Sequence, residues 1–209
     1  MDIAEKILQL KKDFDDAREA GKVSRDKEIW EQYQEGGIEK NYYYAFANRR
    51  FNDFTYNPLY PIRFISSSGV TKCMYQLSGL TDTKVDIYFN DNAMWAFKDA
   101  PTLVTIRCIH VSEETTFEDT FLRCNALKNI KVNGTIGQNF DIHYSPLTAE
   151  SIVNIIEHLS TTVGGKVLTL KSSAVNKMKF PHTSSESGKI YANFKELYES
   201  KPYWTISLA

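Results

Sequence analysis

Apolar positions in the middle of this chain return at a long, regular interval. Leu80, Leu103, Leu127 and Leu147 follow one another at steps of 23, 24 and 20 residues, and the residue five places after each (Val85, Cys108, Val132 and Ile152) is apolar as well. The best-kept pair of segments reads Phe97-x2-Ala100-x2-Leu103-x2-Ile106 against Phe121-x2-Cys124-x2-Leu127-x2-Ile130, with four core-type positions at one fixed offset of 24. An interval in the low twenties is what stacked repeats show, because a short strand-plus-turn unit cannot bury its own apolar face and leans on the next copy. Within Leu127 to Val132, two-residue alternation sends Ile130 and Val132 inward and Asn129 and Lys131 outward. In the preceding copy Ile106 and Cys108 point in, and Thr105 and Arg107 point out. Stacked copies then form a parallel sheet whose solvent face carries Thr105, Arg107, Asn129 and Lys131, a surface suited to binding.

The flanks follow other periods. In residues 1–22, Ile3, Ile7, Leu10, Phe14 and Ala17 are spaced 4, 3, 4 and 3, an a/d seam with Gly21 where the helix stops. An isolated helix of this length is marginal, so the seam packs on its own domain or serves oligomerisation or attachment. Residues 23–65 hold Trp30, Tyr33 and nine aromatics between Tyr42 and Phe64, interrupted by Pro58 and Pro61. Such a segment predicts an irregular N-terminal cap whose rings cover the open end of a repeat stack, with a ligand platform as the alternative. Residues 66–145 form the repeat region, with Asn90-Asp91-Asn92 and Asn133-Gly134 as turns. Residues 146–209 read as a C-terminal α/β cap. A helix begins behind Thr148 to Ser151, carries Ile152, Ile155, Ile156 and Leu159, and ends at Gly164-Gly165. A strand over 167–170, a polar loop over 181–188, a helix over 191–199 and a closing strand over 204–208 complete it.

Composition narrows the function. The 25 Lys and Arg residues against 26 Asp and Glu provide no global basic field, so neither nucleic acid nor an anionic membrane is an expected partner. No segment approaches the roughly 18 uninterrupted apolar residues that a membrane span requires. Cys73, Cys108 and Cys124 are odd in number and lack CxxC spacing, which suits reduced core thiols. The charged start of the chain differs from a secretion signal, so synthesis and residence in the cytosol, or export on a particle, are expected.

Candidate chemistry is sparse. His110, His143, His158 and His182 show no zinc-ligand spacing, and Asp141-x-His143 is a chance proximity. Gly134-Thr135-Ile136-Gly137 lacks the residues of a phosphate-binding loop, and Asn133-Gly134-Thr135 is a glycosylation tripeptide without a secretion signal. No catalytic residue, metal site or cofactor is expected.

The Phe-x2-Cys-x2-Leu-x2-Ile unit of 121–130, with its weaker copy at 97–106, resembles the BspA-like leucine-rich repeat family. The tail reads Pro146-Leu147-Thr148-x2-Ser151-Ile152-x2-Ile155-Ile156-x2-Leu159, then Gly165-Lys166-x-Leu168-Thr169-Leu170, with Trp204 near the end. It is similar to the terminal segment of repeat proteins encoded by bacteriophages and prophages of Gram-positive gut bacteria, often among tail and baseplate genes. The resemblance implies an α/β repeat fold, a short capped solenoid with parallel strands. It also implies a non-enzymatic role in a virion, at the tail or baseplate, in host-surface recognition. Partners would be other phage structural proteins, host cell-surface polysaccharide or protein, and further copies of the chain through the N-terminal helix. The alternative is a cytosolic phage-encoded protein that blocks a host defence factor or enzyme. The chain departs from a tidy array in having two good copies and no isoleucine-proline after the strand, and the family has no catalytic motif to carry over.

Overall fold

The computed structural model describes Gln9, Lys12, Asp13, Asp16, the backbone of Ile62–Phe64, and residues 80–83, 86–89 and 91–209. The chain divides into two units, Met1–Gly37 and Ile38–Ala209. In the first, Gln9, Lys12, Asp13 and Asp16 are helical and exposed, and Gln9 Nε2 donates to Asp13 Oδ1 one turn on at 2.7 Å. The seam residues Ile3, Ile7, Leu10, Phe14 and Ala17 lie outside the described residues, as do Cys73, Val85 and residues 23–61.

The second unit is built on parallel strands that lie in space in the order they occur in the chain. β1 (Ile62–Phe64), β2 (Asp86–Phe89), β3 (Thr105–Val111) and β4 (Asn129–Gly134) form one sheet. Ile62 faces Ile87, Ile87 faces Ile109 and Ile106 faces Ile130, so each strand repeats its neighbour about two dozen residues later. The four leucines sit beside one hydrogen-bonded ladder. Val104 N donates to Thr81 O at 2.8 Å, Lys128 N to Val104 O at 2.9 Å and Thr148 N to Lys128 O at 2.8 Å. Leu80, Leu103, Leu127 and Leu147, each one place before a rung, are all buried.

The turns between strands stack as closely as the strands. Ala93, Trp95, Phe97 and Asp99 donate their N–H groups to the carbonyls of Thr116, Glu118, Thr120 and Leu122 at 2.8–3.1 Å. Trp95 and Asp119, and again Asp99 and Arg123, take left-handed backbone conformations at an offset of 24. The same turn is therefore built twice. Inside it, Phe121 packs between Phe97 (ring centroids 5.6 Å apart) and Phe140 (5.3 Å), all three fully buried.

Parallel stacking continues past residue 145, into the segment expected to be a cap. β5 (Phe140–Asp141), β6 (Lys166–Leu170) and β9 (Trp204–Leu208) form a second parallel sheet in that order. Between its strands the chain inserts α1 (Ala149–Glu157), α2 (Ser172–Val175), a hairpin of β7 (His182–Thr183) and β8 (Ile190–Tyr191), and α3 (Phe194–Glu199). α1 begins at Thr148, whose side chain accepts from Ser151 N, and places Glu150 in the first turn, where the positive end of the helix dipole favours it. The helix ends at His158 and not at Gly164-Gly165, because Leu159 leaves to form a parallel bridge with Ile136.

α1 also closes the edge of the first sheet. Ser151 Oγ accepts from Ile130 N at 3.0 Å and Asn154 Oδ1 from Val132 N at 2.7 Å, so helix side chains satisfy the amides that a fifth strand would otherwise pair. Residues 181–188, expected as a polar loop, are instead pinned to the outer side of α1. Ser184 Oγ and Ser187 Oγ donate to the Glu157 carboxylate at 2.7 and 2.5 Å, Ser185 N donates to Glu150 Oε1 at 3.2 Å, and His182 Nε2 lies 3.2 Å from Glu150 Oε2.

Candidate binding face

The outer face of β2, β3 and β4 is a polar row carried by a buried apolar one. Ile87, Ile106, Ile109, Ile130 and Val132 are buried beneath it. Of the four residues read from sequence, Arg107, Asn129 and Lys131 are exposed and Thr105 is half-buried. Asn129 Nδ2 donates to Thr105 Oγ1 at 3.4 Å, and Thr148 Oγ1 donates to Asn129 Oδ1 at 3.3 Å, a polar rung crossing three successive segments. Arg107 and Lys131 take different partners. Arg107 Nε lies 3.2 Å from Asp86 Oδ1, and Lys131 Nζ lies 3.8 Å from Glu186 Oε2. Both keep more than half of their side-chain surface in solvent, at 58% and 56%.

Cys108 corrects the alternation. A strict two-residue period groups it with Ile106 in the core, but the register against β4 slips between Ile106 and Ile109. That bulge at Arg107 lets Ile109 take the inward place, and Cys108 then faces Asp86 across the ladder. The thiol remains shielded, with the residue 7% exposed, and forms no disulfide. Burial pushes its pKa up to about 11, Asp86 adds to the rise, and Lys131 and Arg107 oppose it. A shielded, protonated thiol is the opposite of an activated nucleophile.

Beside it, His110 Nε2 lies 3.1 Å from Asp86 Oδ2, and the imidazole stacks on Tyr88 at 3.9 Å with an interplanar angle of 8°. One donor atom each from Asp86, Cys108 and His110 falls within 4.8 Å of the other two, the group among the described residues with the donor types and spacing of a metal site. Asp141 and His143 do meet, at 2.6 Å, but as neighbours on one stretch of chain. Sequence reasoning missed Asp86, Tyr88, His110 and Glu186. Asp86 and Tyr88 are the register partners of Cys108 and His110, positions that strict alternation from Ile106 would turn inward and that the shift in β3 turns outward. Glu186 has no sequence signal, since it arrives from the hairpin.

Past Glu186 the face runs into a cavity of about 380 Å³ lined by Glu157, His158, Glu186, Lys189, Tyr191 and Lys201, among others. Its polar groups are largely spent on one another. Glu157 Oε1 accepts from Tyr191 OH at 2.9 Å, and Lys201 Nζ donates to the carbonyls of Glu157 and Leu159 at 2.7 and 2.6 Å. Burial lowers the Lys201 pKa, with Glu157 opposing, and burial followed by Glu157 raises that of Tyr191. The lysine closes the C-terminal end of α1, so this cavity is a fastening between helix and hairpin, while the strand face presents its charges to solvent.

Comparisons with protein families, with curated proteins and with solved structures each returned no match.

Proposed function

We propose that this chain is a non-enzymatic binding module, a short leucine-rich-repeat-type solenoid carried at the tail or baseplate of a phage particle, and that its β2–β4 face contacts the host surface. The observation that carries the binding role is the fixed row of Thr105, Arg107, Asn129 and Lys131 on stacked parallel rungs. Its amide, hydroxyl and cationic groups sit on strands rather than on loops, so little ordering entropy opposes contact with a hydroxyl-rich or anionic polymer such as a wall polysaccharide. The phage setting rests on the family resemblance alone, carried by residues 97–130 and 146–170, Trp204, and the opening helix with Trp30 and the Tyr42 to Phe46 aromatic run. In this reading the seam of Ile3, Ile7, Leu10, Phe14 and Ala17 fixes the module to a fibre or to its own copies.

The test is binding of fluorescently labelled full-length protein to a panel of Gram-positive gut bacteria and their purified wall polysaccharides. Replacing Thr105, Arg107, Asn129 and Lys131 together by alanine should lower affinity at least tenfold, about 1.4 kcal/mol, in a variant that still shows the far-ultraviolet circular dichroism of the folded protein. Equal binding by the folded variant contradicts the proposal. Mass spectrometry of purified virions separates this role from that of a cytosolic inhibitor, which should be missing from the particle.

A further inference from the structure

Three side chains on the same sheet form a constellation that recognition of a host does not need. Asp86 on β2 and Cys108 and His110 on β3 contribute an oxygen, a sulfur and a nitrogen within 4.8 Å of one another. We propose that this triplet is a binding site for a zinc-type divalent cation.

The donor set selects the class of ion. A thiolate with an imidazole suits borderline-soft Zn²⁺ and its neighbours, whereas Ca²⁺ and Mg²⁺ take oxygen shells. The spacing fits as well. Ligand atoms around a tetrahedral zinc, at about 2.0–2.3 Å from the metal, are roughly 3.3–3.6 Å from one another. His110 Nε2 and Asp86 Oδ2 already lie 3.1 Å apart, and the sulfur is brought in by adjustments of an ångström or so from a 4.8 Å envelope.

The supports of the ligands are in place too. Asp86 is held through Oδ1 by Arg107 Nε at 3.2 Å, which leaves Oδ2, the oxygen that faces His110, as the ligand atom. The Tyr88 ring fixes the plane of the imidazole. Strand register sets Asp86 opposite Cys108 and Tyr88 opposite His110, so the spacing of the three ligands is determined by backbone ladders and not by a loop.

On binding, the Cys108 thiol gives its proton to solvent and coordinates as thiolate, His110 coordinates through the Nε2 lone pair, and no redox step occurs. Thiolate and carboxylate together balance the double charge of the ion. Three protein ligands leave a fourth position for water or for a ligand atom of a bound partner.

Cobalt(II) is the probe, titrated into full-length protein that has been reduced and stripped with chelator. One equivalent should bind, giving visible bands of tetrahedral cobalt and a near-ultraviolet thiolate charge-transfer band, both bleached by zinc. Cys108→Ser should remove the charge-transfer band. His110→Gln, at a side chain 20% exposed, should weaken cobalt binding at least about tenfold while the far-ultraviolet circular dichroism remains that of the folded protein. Absence of a thiolate band in the wild-type protein at millimolar cobalt overturns the proposal. So does a band of undiminished strength and affinity in His110→Gln, which would assign the thiolate to Cys73 or Cys124. If Cys108→Ser fails to fold, His110→Gln decides alone. These readouts do not involve host cells, so they stand or fall separately from the recognition role.

Discussion

Phe121→Ala strikes the stack at its most connected point. The ring is 1% exposed and touches the equivalent ring of the preceding copy, Phe97, on one side and Phe140 of the following segment on the other. Removing a buried Phe side chain costs about 3–5 kcal/mol, combining lost transfer energy with the residual cavity. Two aromatic pairs, each worth about 0.5–1.5 kcal/mol, are lost with it. Since a domain has about 5–15 kcal/mol in all, the variant should unfold at a much lower urea concentration, read by far-ultraviolet circular dichroism. Phe121→Leu keeps more of the volume but loses both ring pairs as well, so it should cost at least about 1 kcal/mol and less than Phe121→Ala. The pair Phe97→Ala and Phe121→Ala should be non-additive by about 0.5–3 kcal/mol, because each removes the other's partner. A loss below about 1 kcal/mol for Phe121→Ala, or strict additivity with Phe97→Ala, would refute the reasoning that these segments share one interior.

Two further outcomes follow from local geometry. Gly134 has φ +103°, and a Cβ there would lie 1.9 Å from the Val111 carbonyl oxygen, so Gly134→Ala should cost at least about 1–3 kcal/mol and lower the melting temperature; an unchanged melting temperature would contradict the close approach of β3 and β4. Glu150 is pulled in opposite directions: burial raises its pKa, while hydrogen bonds from Ser185 and His182 lower it further, leaving it below the ordinary 4.5. A carboxyl with a depressed folded pKa contributes stability that is complete above the unfolded value and is lost as the pH falls through the folded one. Acid unfolding curves below pH 4.5 should therefore be shallower for Glu150→Gln than for the wild-type protein, and identical acid limbs would contradict the role of the hairpin contacts.

What could be read from the sequence was what recurs. The spacing of Leu80, Leu103 and Leu127 and the match of Phe97 to Phe121 are visible because one physical demand, burial against the next copy, is imposed at a constant interval. Reading failed wherever geometry departs from a period. At Arg107 a bulge resets the alternation, so Cys108, a buried free thiol as expected, lies beside Asp86 and His110 and not beneath the sheet with Ile106. Beyond residue 145 the facing residues are 28 and then 38 positions apart, Phe140 with Leu168 and Lys166 with Trp204, because a helix and a hairpin are inserted between strands. The serines of 184–187 look solvated in sequence, and only the fold shows that Glu150 and Glu157 receive their hydroxyls. Glu186 reaches the binding face by the same route and has no sequence signal.

Successive segments lie side by side over one hydrophobic interior, with the polar row outside. Nuclear Overhauser spectroscopy on the full chain, with phenylalanine rings and isoleucine methyls labelled, tests that arrangement directly. The prediction is cross-peaks from the Phe121 ring to both Phe97 and Phe140, together with contacts between Ile106 and Ile130. A folded protein in which Phe121 contacts neither ring, and Ile106 and Ile130 are far apart, would contradict the stack and the binding face built on it.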